Sequence, residues 1–346
     1  FSYNNQVLNN TLSITDNFTV YSNKHTLTFG ANFDYMTFEN SFADYGGPSY
    51  YQFNSLSDFY ANRPPTRFTI QYSQVPGVAV PPAAADFAQA GIYAQDEYTT
   101  GNFKFTLGLR ADMPFYLGDV TNNPTVTPLT FTDIDGNPVN YDLSEMPKQR
   151  VLLAPRFGFN WDVKGDGSSR VRFGTGIFTG RIPFVWFVNQ SGDSGTLRGL
   201  QVYSGAGAAP FVFNPDINAY RPAPNPSAAT LPSSFSVTGK EFKMPQLLRA
   251  NLAYGTKLPY GFVGTVEGLF SKDINNAFFY NTNFREGDAT MSGPDNRPYY
   301  TTSAARRYNA NTDAIVLENT SKGYTGSITA KLERSFSNGL FGSLAY

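Results

Sequence analysis

Apolar and polar positions alternate with a period of two from Leu152 to Gly180. Phe157, Phe159, Trp161 and Val163 interleave with Arg156, Gly158, Asn160 and Asp162. After Lys164-Gly165-Asp166-Gly167-Ser168, Val171, Phe173, Thr175 and Ile177 interleave with Arg170, Arg172, Gly174 and Gly176. This pattern predicts two antiparallel strands joined by a tight turn, because side chains of a strand point alternately to opposite faces. The glycines supply the left-handed conformations a hairpin turn needs. A soluble sandwich gives the same pattern with the aromatic face inward. A membrane barrel gives it with that face outward, and this hairpin alone does not choose.

Four more stretches carry the pattern, so hairpins are expected near residues 11–38, 87–112, 151–180, 246–274 and 321–346. Leu27, Phe29, Ala31, Phe33 and Tyr35 oppose Thr26, Thr28, Gly30, Asn32 and Asp34. Phe103, Phe105, Leu107, Leu109 and Ala111 oppose Lys104, Thr106, Gly108, Arg110 and Asp112. Leu248, Ala250, Leu252 and Tyr254 mark one face of another strand. In Phe87 to Thr99 the pattern fixes no facing. Long stretches between the hairpins, including Gly46-Gly47-Pro48, read as loops. Nearly all of the 23 prolines fall there, as expected from their exclusion from central strands. Ala314-Ile315-Val316-Leu317 reads as a strand extension inside the last long loop.

The connections alternate short and long, and the strands run roughly 10 to 14 residues. A tilted membrane-spanning strand needs about 9–11, and outer-membrane barrels have short turns on one side and long loops on the other. Strands of a soluble sandwich are shorter, typically about 5–6 residues. The predicted fold is therefore all-β, an antiparallel transmembrane β-barrel segment of about ten strands. Phe157, Phe159, Trp161 and Phe173 are expected to face lipid, and Gly174 and Gly176 the lumen. By strand parity both chain ends fall on the long-loop side, whereas a complete barrel has both on the short-turn side. This points to a segment from the middle of a larger barrel.

Composition agrees. Charged residues make up 15% and aromatics 16% of the 346 residues, against about 25% charged in a typical soluble protein. Mean hydropathy is −0.32, as expected where lipid-facing and lumen-facing residues average out. No run approaches the roughly 18 apolar residues of a membrane helix. There is no cysteine and one histidine, His25. That leaves no disulfide framework, no thiolate metal site and no His-based metal cluster. A net charge of −1 gives no case for nucleic acid. Scattered carboxylates, with no nucleophile elbow and no phosphate loop, leave catalysis unsupported. No cofactor is indicated.

Three features invite a functional reading. Arg110, Arg156, Arg170, Arg172 and Arg249 fall on the polar face and are expected to line the lumen. They would either line a path for an anionic solute or pair with acids such as Asp112 and Glu267. Asp162 with Gly165-Asp166-Gly167 lacks the spacing of a calcium loop and reads as a plain turn. Tyr50-Tyr51 and Phe278-Phe279-Tyr280 fit either a ligand surface or a membrane-interface girdle. His25, beside a short turn, reads as a solvated turn residue.

Several stretches resemble TonB-dependent receptors of the outer membrane, in particular the Oar-like type of Bacteroidota. These are KHTLTFGANFDY (Lys24–Tyr35), GIYAQDEY (Gly91–Tyr98), FTLGLRADMP (Phe105–Pro114), LAPRFGFNWDV (Leu153–Val163), FGTGIFTGRIPFVWFVNQSGDSG (Phe173–Gly195) and FKMPQLLRANLAYGTKLPYGFVGTVEGLFSKDINN (Phe242–Asn276). The resemblance implies a bacterial outer-membrane location and a barrel of about 22 strands closed by a plug. It implies a TonB complex that powers import of a bound solute. Siderophore, oligosaccharide and peptide solutes all stay open, as does a surface lipoprotein partner. No stretch here matches a plug or a TonB box. Carried over, Arg181, Trp186 and Asn189 would lie where a strand meets its extracellular loop, either touching solute or anchoring the loop. A non-transporting barrel within a larger assembly is the alternative, and a secreted glycan-binding β protein the third reading.

Overall fold

The computed structural model describes residues 4–43, 49–225, 231–301, 305–308 and 312–346. Gly46-Gly47-Pro48 lies outside them. Ten strands form one meander: β1 Asn4–Ser22, β2 His25–Ala43, β3 Ala83–Thr100, β4 Phe103–Leu117, β5 Leu152–Asp162, β6 Ser169–Thr179, β7 Gln246–Lys257, β8 Phe262–Asn281, β9 Tyr324–Ser335 and β10 Phe341–Ala345. Each pairs antiparallel with its neighbour in this order. β1 pairs only with β2, and β10 only with β9, so the sheet has two free edges among the described residues.

Several strands outrun the sequence pattern at their loop ends. β1 and β2 stay in register from Ser22↔His25 to Asn4↔Ala43, and β8 continues to Asn281. Ladder hydrogen bonds need only backbone, so pairing continues where side-chain alternation has faded. The last long connection is not all loop. Asp313–Thr320 is a strand that pairs antiparallel with the upper end of β8. Ser234–Thr238, from the preceding long connection, runs parallel beside it.

The register settles which residues share a face, because directly opposed residues point the same way. One row runs Phe105, Phe159, Phe173, Leu252 across β4 to β7. On β3, Ala88, Ala90, Ile92, Ala94, Asp96 and Tyr98 join this face, each opposite an apolar or aromatic residue of β2 or β4, or His25. It stays exposed: Ile14, Phe29, Ile92, Leu107 and Leu252 all keep about half or more of their surface open. The other face carries Thr106, Gly158, Gly174 and Asn251 in one row. Towards the loop end this face buries Met36, Phe87 and Leu152 against Ile182, Phe187, Phe242 and Met244 of the loops, and Phe38 against Val188. The loops thus cover this face, which makes it the inner one.

The long connections are built structures. The stretch 181–245 begins with RIPFVW, turns into a helix at Val185–Gly192 and continues as a strand, Arg198–Ser204. That strand pairs with Arg67–Ser73, which pairs with Tyr50–Gln52. Phe68 is fully buried here, stacked on Phe211 at 4.4 Å. Tyr51 packs against it at 4.9 Å. A second core joins Val126, Phe131, Leu143, Phe235 and Val316. At the opposite end the connections are tight turns. In the β5–β6 turn both Asp162 carboxylate oxygens accept backbone amides, of Gly165 at 3.0 Å and Gly167 at 2.7 Å. The two glycines have φ of 74° and 71°. The carboxylate is occupied by the turn itself.

Candidate functional site

The inner face between turns and loops is a wall of arginines set among glycines, and it divides into two regions. In the upper region Asn32 and Asp34 on β2, Gln89 and Gly91 on β3, and Arg110 and Asp112 on β4 meet across the sheet. Arg110 donates to Asp112 through Nε at 2.9 Å and Nη2 at 2.6 Å, and to Asn32 Oδ1 at 2.5 Å. Gln89 Nε2 donates to Asp112 at 3.1 Å. Arg181, arriving from the loop, donates to Gln89 Oε1 at 3.0 Å and makes an ion pair with Asp34. Asn32 closes the ring by donating to Asp34 at 3.4 Å. The ring holds two arginines and two aspartates and is neutral. Asp34, Gln89 and Asp112 are all buried. Gly91 sits beneath the Arg110 guanidinium, and a β-carbon there would run into Arg110, Asn32 and Asp112.

Midway down the wall, a single row runs Gly108, Arg156, Gly176, Arg249, Ser271 across β4 to β8. A β-carbon on Gly176 would lie 2.9 Å from the Pro155 carbonyl oxygen and 3.0 Å from Arg156 Cγ. The glycine therefore lets the neighbouring strand and the Arg156 stem pack closely between the two arginines. Arg156 lies over the Phe178 ring at 4.7 Å. Arg156, Phe178, Arg249 and Ser271, with Gln95, Thr106, Asn251 and neighbours, line a hollow of about 570 Å³ with no aspartate or glutamate in its wall. A second hollow of about 380 Å³ shares Gln95 and Arg156 and reaches Arg110 and Arg181. Together they make a trough running down from the loops.

The sequence-predicted residues thus separate. Arg110 pairs with Asp112, the acid two positions along its own strand. Arg156, Arg170, Arg172 and Arg249 make no ion pair among the described residues. Glu267 shares a row with Arg172, but Ala253 stands between them. Arg181 enters the ring. Trp186 sets its ring edge-on to Phe279 at 4.8 Å and packs on the loop core. The Asn189 carbonyl accepts the Asp193 amide at 2.8 Å and closes the helix. Each of these three contacts a different set of partners. Asn32, Asp34 and Gln89 belong to the site although the sequence pattern marks them only as polar-face residues.

His25 is exposed beside its turn, as expected, and also has partners: Nδ1 lies 2.8 Å from Asp96 Oδ2, and its ring lies 4.6 Å from that of Tyr98. Both partners belong to the outer face.

A family model described as "Outer membrane beta barrel domain" matches residues 1–346. No curated protein matches. Among solved structures, the copper transporter OprC superposes with a TM-score of 0.52 at 10% identity, over 99% of this chain and 38% of that one. The outer membrane transporter YddB from Escherichia coli gives 0.49 at 13%, over 94% and 30%. The FrpB iron transporter from Neisseria meningitidis gives 0.48 at 10%, over 96% and 35%. The chain spans about a third of the length of these structures. At 10% identity the likeness to OprC speaks for the fold alone.

Proposed function

Because this chain belongs to the outer membrane beta barrel domain family and lies in the outer membrane, we propose that it forms a section of the wall of a plugged receptor barrel that takes up an extracellular solute. The larger barrel is supported by the free edges of β1 and β10. An unpaired backbone group in hydrocarbon costs several kcal/mol, so further strands must complete the wall. The Oar-like type, and coupling to a TonB complex, are supported by the GRIPFVW and KMPQ…LPYGF…EGLFSKDIN runs.

The observation that carries the reading is the trough. A polar, arginine-lined inner wall opens beneath folded loops and continues to mid-wall. Loops and upper lumen are where such a barrel first meets its solute. Arg156 and Arg249, without acidic partners, favour a solute carrying carboxylate or phosphate groups.

The test is solute depletion. Cells with and without the full-length protein are grown in a defined extract of anionic and neutral small molecules, and the medium is followed by mass spectrometry. Transport predicts that particular compounds persist in the medium when the gene is deleted, and equally when the proton-motive force is collapsed. An unchanged medium, with loss instead of a co-purifying envelope protein, would favour a scaffolding barrel.

A further inference from the structure

Beyond the barrel wall, the loops hold a three-stranded sheet in the order Arg198–Ser204, Arg67–Ser73, Tyr50–Gln52. Its two edges differ. Tyr50–Gln52 is three residues long, and a very short edge strand offers little to an added chain. Arg198–Ser204 is seven residues long and pairs with Arg67–Ser73 on one side only. The phase of its ladder follows from the hydrogen bonds at its two ends. The Gln74 amide donates to the Leu197 carbonyl at 3.0 Å, and the Gly205 amide donates to the Thr66 carbonyl at 2.9 Å. In an antiparallel ladder, residues alternate between turning both backbone groups towards the partner and turning both away. Gly199, Gln201 and Tyr203 therefore face Arg67–Ser73. Leu200 and Val202 turn their N–H and C=O groups to the open side, where no backbone hydrogen bond takes them up among the described residues.

This edge also lacks the usual protection. Natural sheets blunt long edges with lysine, proline, a bulge or a covering element. Gly199-Leu200-Gln201-Val202-Tyr203 has no charge and no proline, and its register runs without a break. Arg198, at its start, is engaged elsewhere: Nε donates to the Gly192 carbonyl at 3.3 Å, and Nη1 to that of Phe42. Leu200 is 38% exposed. Behind the edge the strand is held firmly. Tyr203 donates to Gln201 Oε1 at 2.7 Å and packs on Phe211 at 4.4 Å. Phe211 in turn stacks on buried Phe68. A rigid edge binds at a smaller entropic cost than a mobile one.

We propose that this edge binds an extended, uncharged peptide segment by strand addition. The open groups choose the ligand class. Leu200 and Val202 each present a donor and an acceptor, and they stand ~6.8 Å apart, two steps along a strand. Another extended backbone repeats its own donors and acceptors at that interval, which a sugar or a lipid headgroup does not. With no charged side chain on the edge, main-chain bonds supply the affinity. Leu200 and Val202 share one face, and beside them they favour apolar or β-branched side chains at alternate peptide positions. The sheet belongs to the long connections, at the opposite end from the tight turns, so the edge lies on the extracellular side. Binding there needs only that placement and stands whether or not the barrel transports.

The probe is an acetylated and amidated hexapeptide of alternating threonine and valine. It carries a fluorophore, and its anisotropy is followed as the full-length protein in detergent is added. Saturable binding is expected. The same hexapeptide with every amide N-methylated has no backbone donors, and it should bind about tenfold more weakly, the scale of one to two lost hydrogen bonds. Val202→Pro should weaken binding of the unmodified peptide by a similar factor. It removes a donor that points outward and leaves every ladder bond to Arg67–Ser73 in place, as proline permits on an edge. Val202→Thr keeps the backbone and should bind within about twofold of the wild type. Heat-dependent gel mobility confirms that each variant barrel is folded, and unchanged protease resistance of the 181–245 loop confirms its sheet. No saturable binding by the wild type, or equal binding of the N-methylated peptide, would overturn the proposal. So would a folded Val202→Pro protein with wild-type affinity. A concentration-dependent dimer that Val202→Pro abolishes and the peptide does not disturb would overturn it in favour of a second copy of this chain.

Discussion

Two stretches of the same inner wall use arginine in opposite ways. Near the loops, Arg110 and Arg181 are absorbed into a ring with Asp34, Asp112, Gln89 and Asn32. Lower on the wall, Arg156 and Arg249 flank Gly176 and meet no acid. Parity places all of these arginines, save Arg181 in its loop, on one face and assigns them one role. The partners separate them. An arginine whose charge is cancelled by buried aspartates holds structure together. One left facing a hollow keeps its charge available to whatever enters.

The largest expected effect tests the first half of that contrast. Asp112→Ala leaves the half-buried Arg110 guanidinium without its main acceptor, and Gln89 without its own. Removing one member of a buried ion pair costs about 3–5 kcal/mol. The midpoint of urea-induced unfolding from lipid should fall accordingly. If Asp112→Ala unfolds like the wild type, the ring is not holding the wall.

Phe159→Arg sharpens the comparison from the other face. Arg172 is tolerated on the inner wall, one strand and one residue step away, because it meets polar surroundings. An arginine at 159 would point outward in a row with Phe105, Phe173 and Leu252. The expected destabilisation is about 2–4 kcal/mol if the position lies near the membrane midplane, less near the interface. A change below about 0.5 kcal/mol by the same unfolding assay would mean that the faces are assigned the wrong way round.

A smaller effect separates the ring from the loops it anchors. Asp193 ends the loop helix, and burial pushes its carboxyl up to about 6, against the opposing pull of Arg198 and a hydrogen bond with Ser236. A carboxyl whose folded value is raised favours the fold in its protonated form. Its contribution is therefore present below about pH 4, is lost as pH rises towards about 6, and stays lost above. Asp193→Asn mimics the protonated group. It should match the wild type at pH 4 and resist proteolysis of the 181–245 loop better at pH 7, by about 1–3 kcal/mol of local stability. Equal protection at both pH values would remove Asp193 from the account.

Much of this wall is legible in the sequence because lipid on one side and water on the other impose a strict period of two. Phe103 to Ala111 and Phe157 to Trp161 show it plainly. Phe87 to Thr99 does not, since small alanines and Asp96 fall on the outer face while Phe87 and Tyr93 fall on the inner one, so neither reads as the apolar face. That ambiguity hid Asp96 on the outer face and with it the partner of His25. The pairing of Arg110 with Asp112 lies within one strand and one face, so it could be anticipated. Arg181 with Asp34 spans 147 positions. It depends on how a loop folds back over three strands, which no local pattern encodes. The same holds for Trp186 and Asn189, whose motif marks a loop entry without saying what each side chain meets.

The smallest effect on stability bears most on function. Arg156→Gln and Arg249→Gln each remove a solvated charge that has no ion-pair partner, so each should change folding stability by less than about 0.5 kcal/mol. If the middle of the wall were structural like the ring, the loss would be several-fold larger. The charge matters only to an anion in the trough. Uptake of an anionic solute should therefore fall in both variants while a neutral one is unaffected, and the double variant should show the lower salt dependence of binding expected when two cations are removed. Arg110 cannot serve as the comparison, because its loss would disturb the ring. Arg172 can: it is inward-facing and without an ion pair, but lies one row beyond the lining of the hollow. Arg172→Gln that lowers uptake as far as Arg156→Gln would show a diffuse field along the whole wall. An effect confined to Arg156 and Arg249 would locate the anion in the hollow they line.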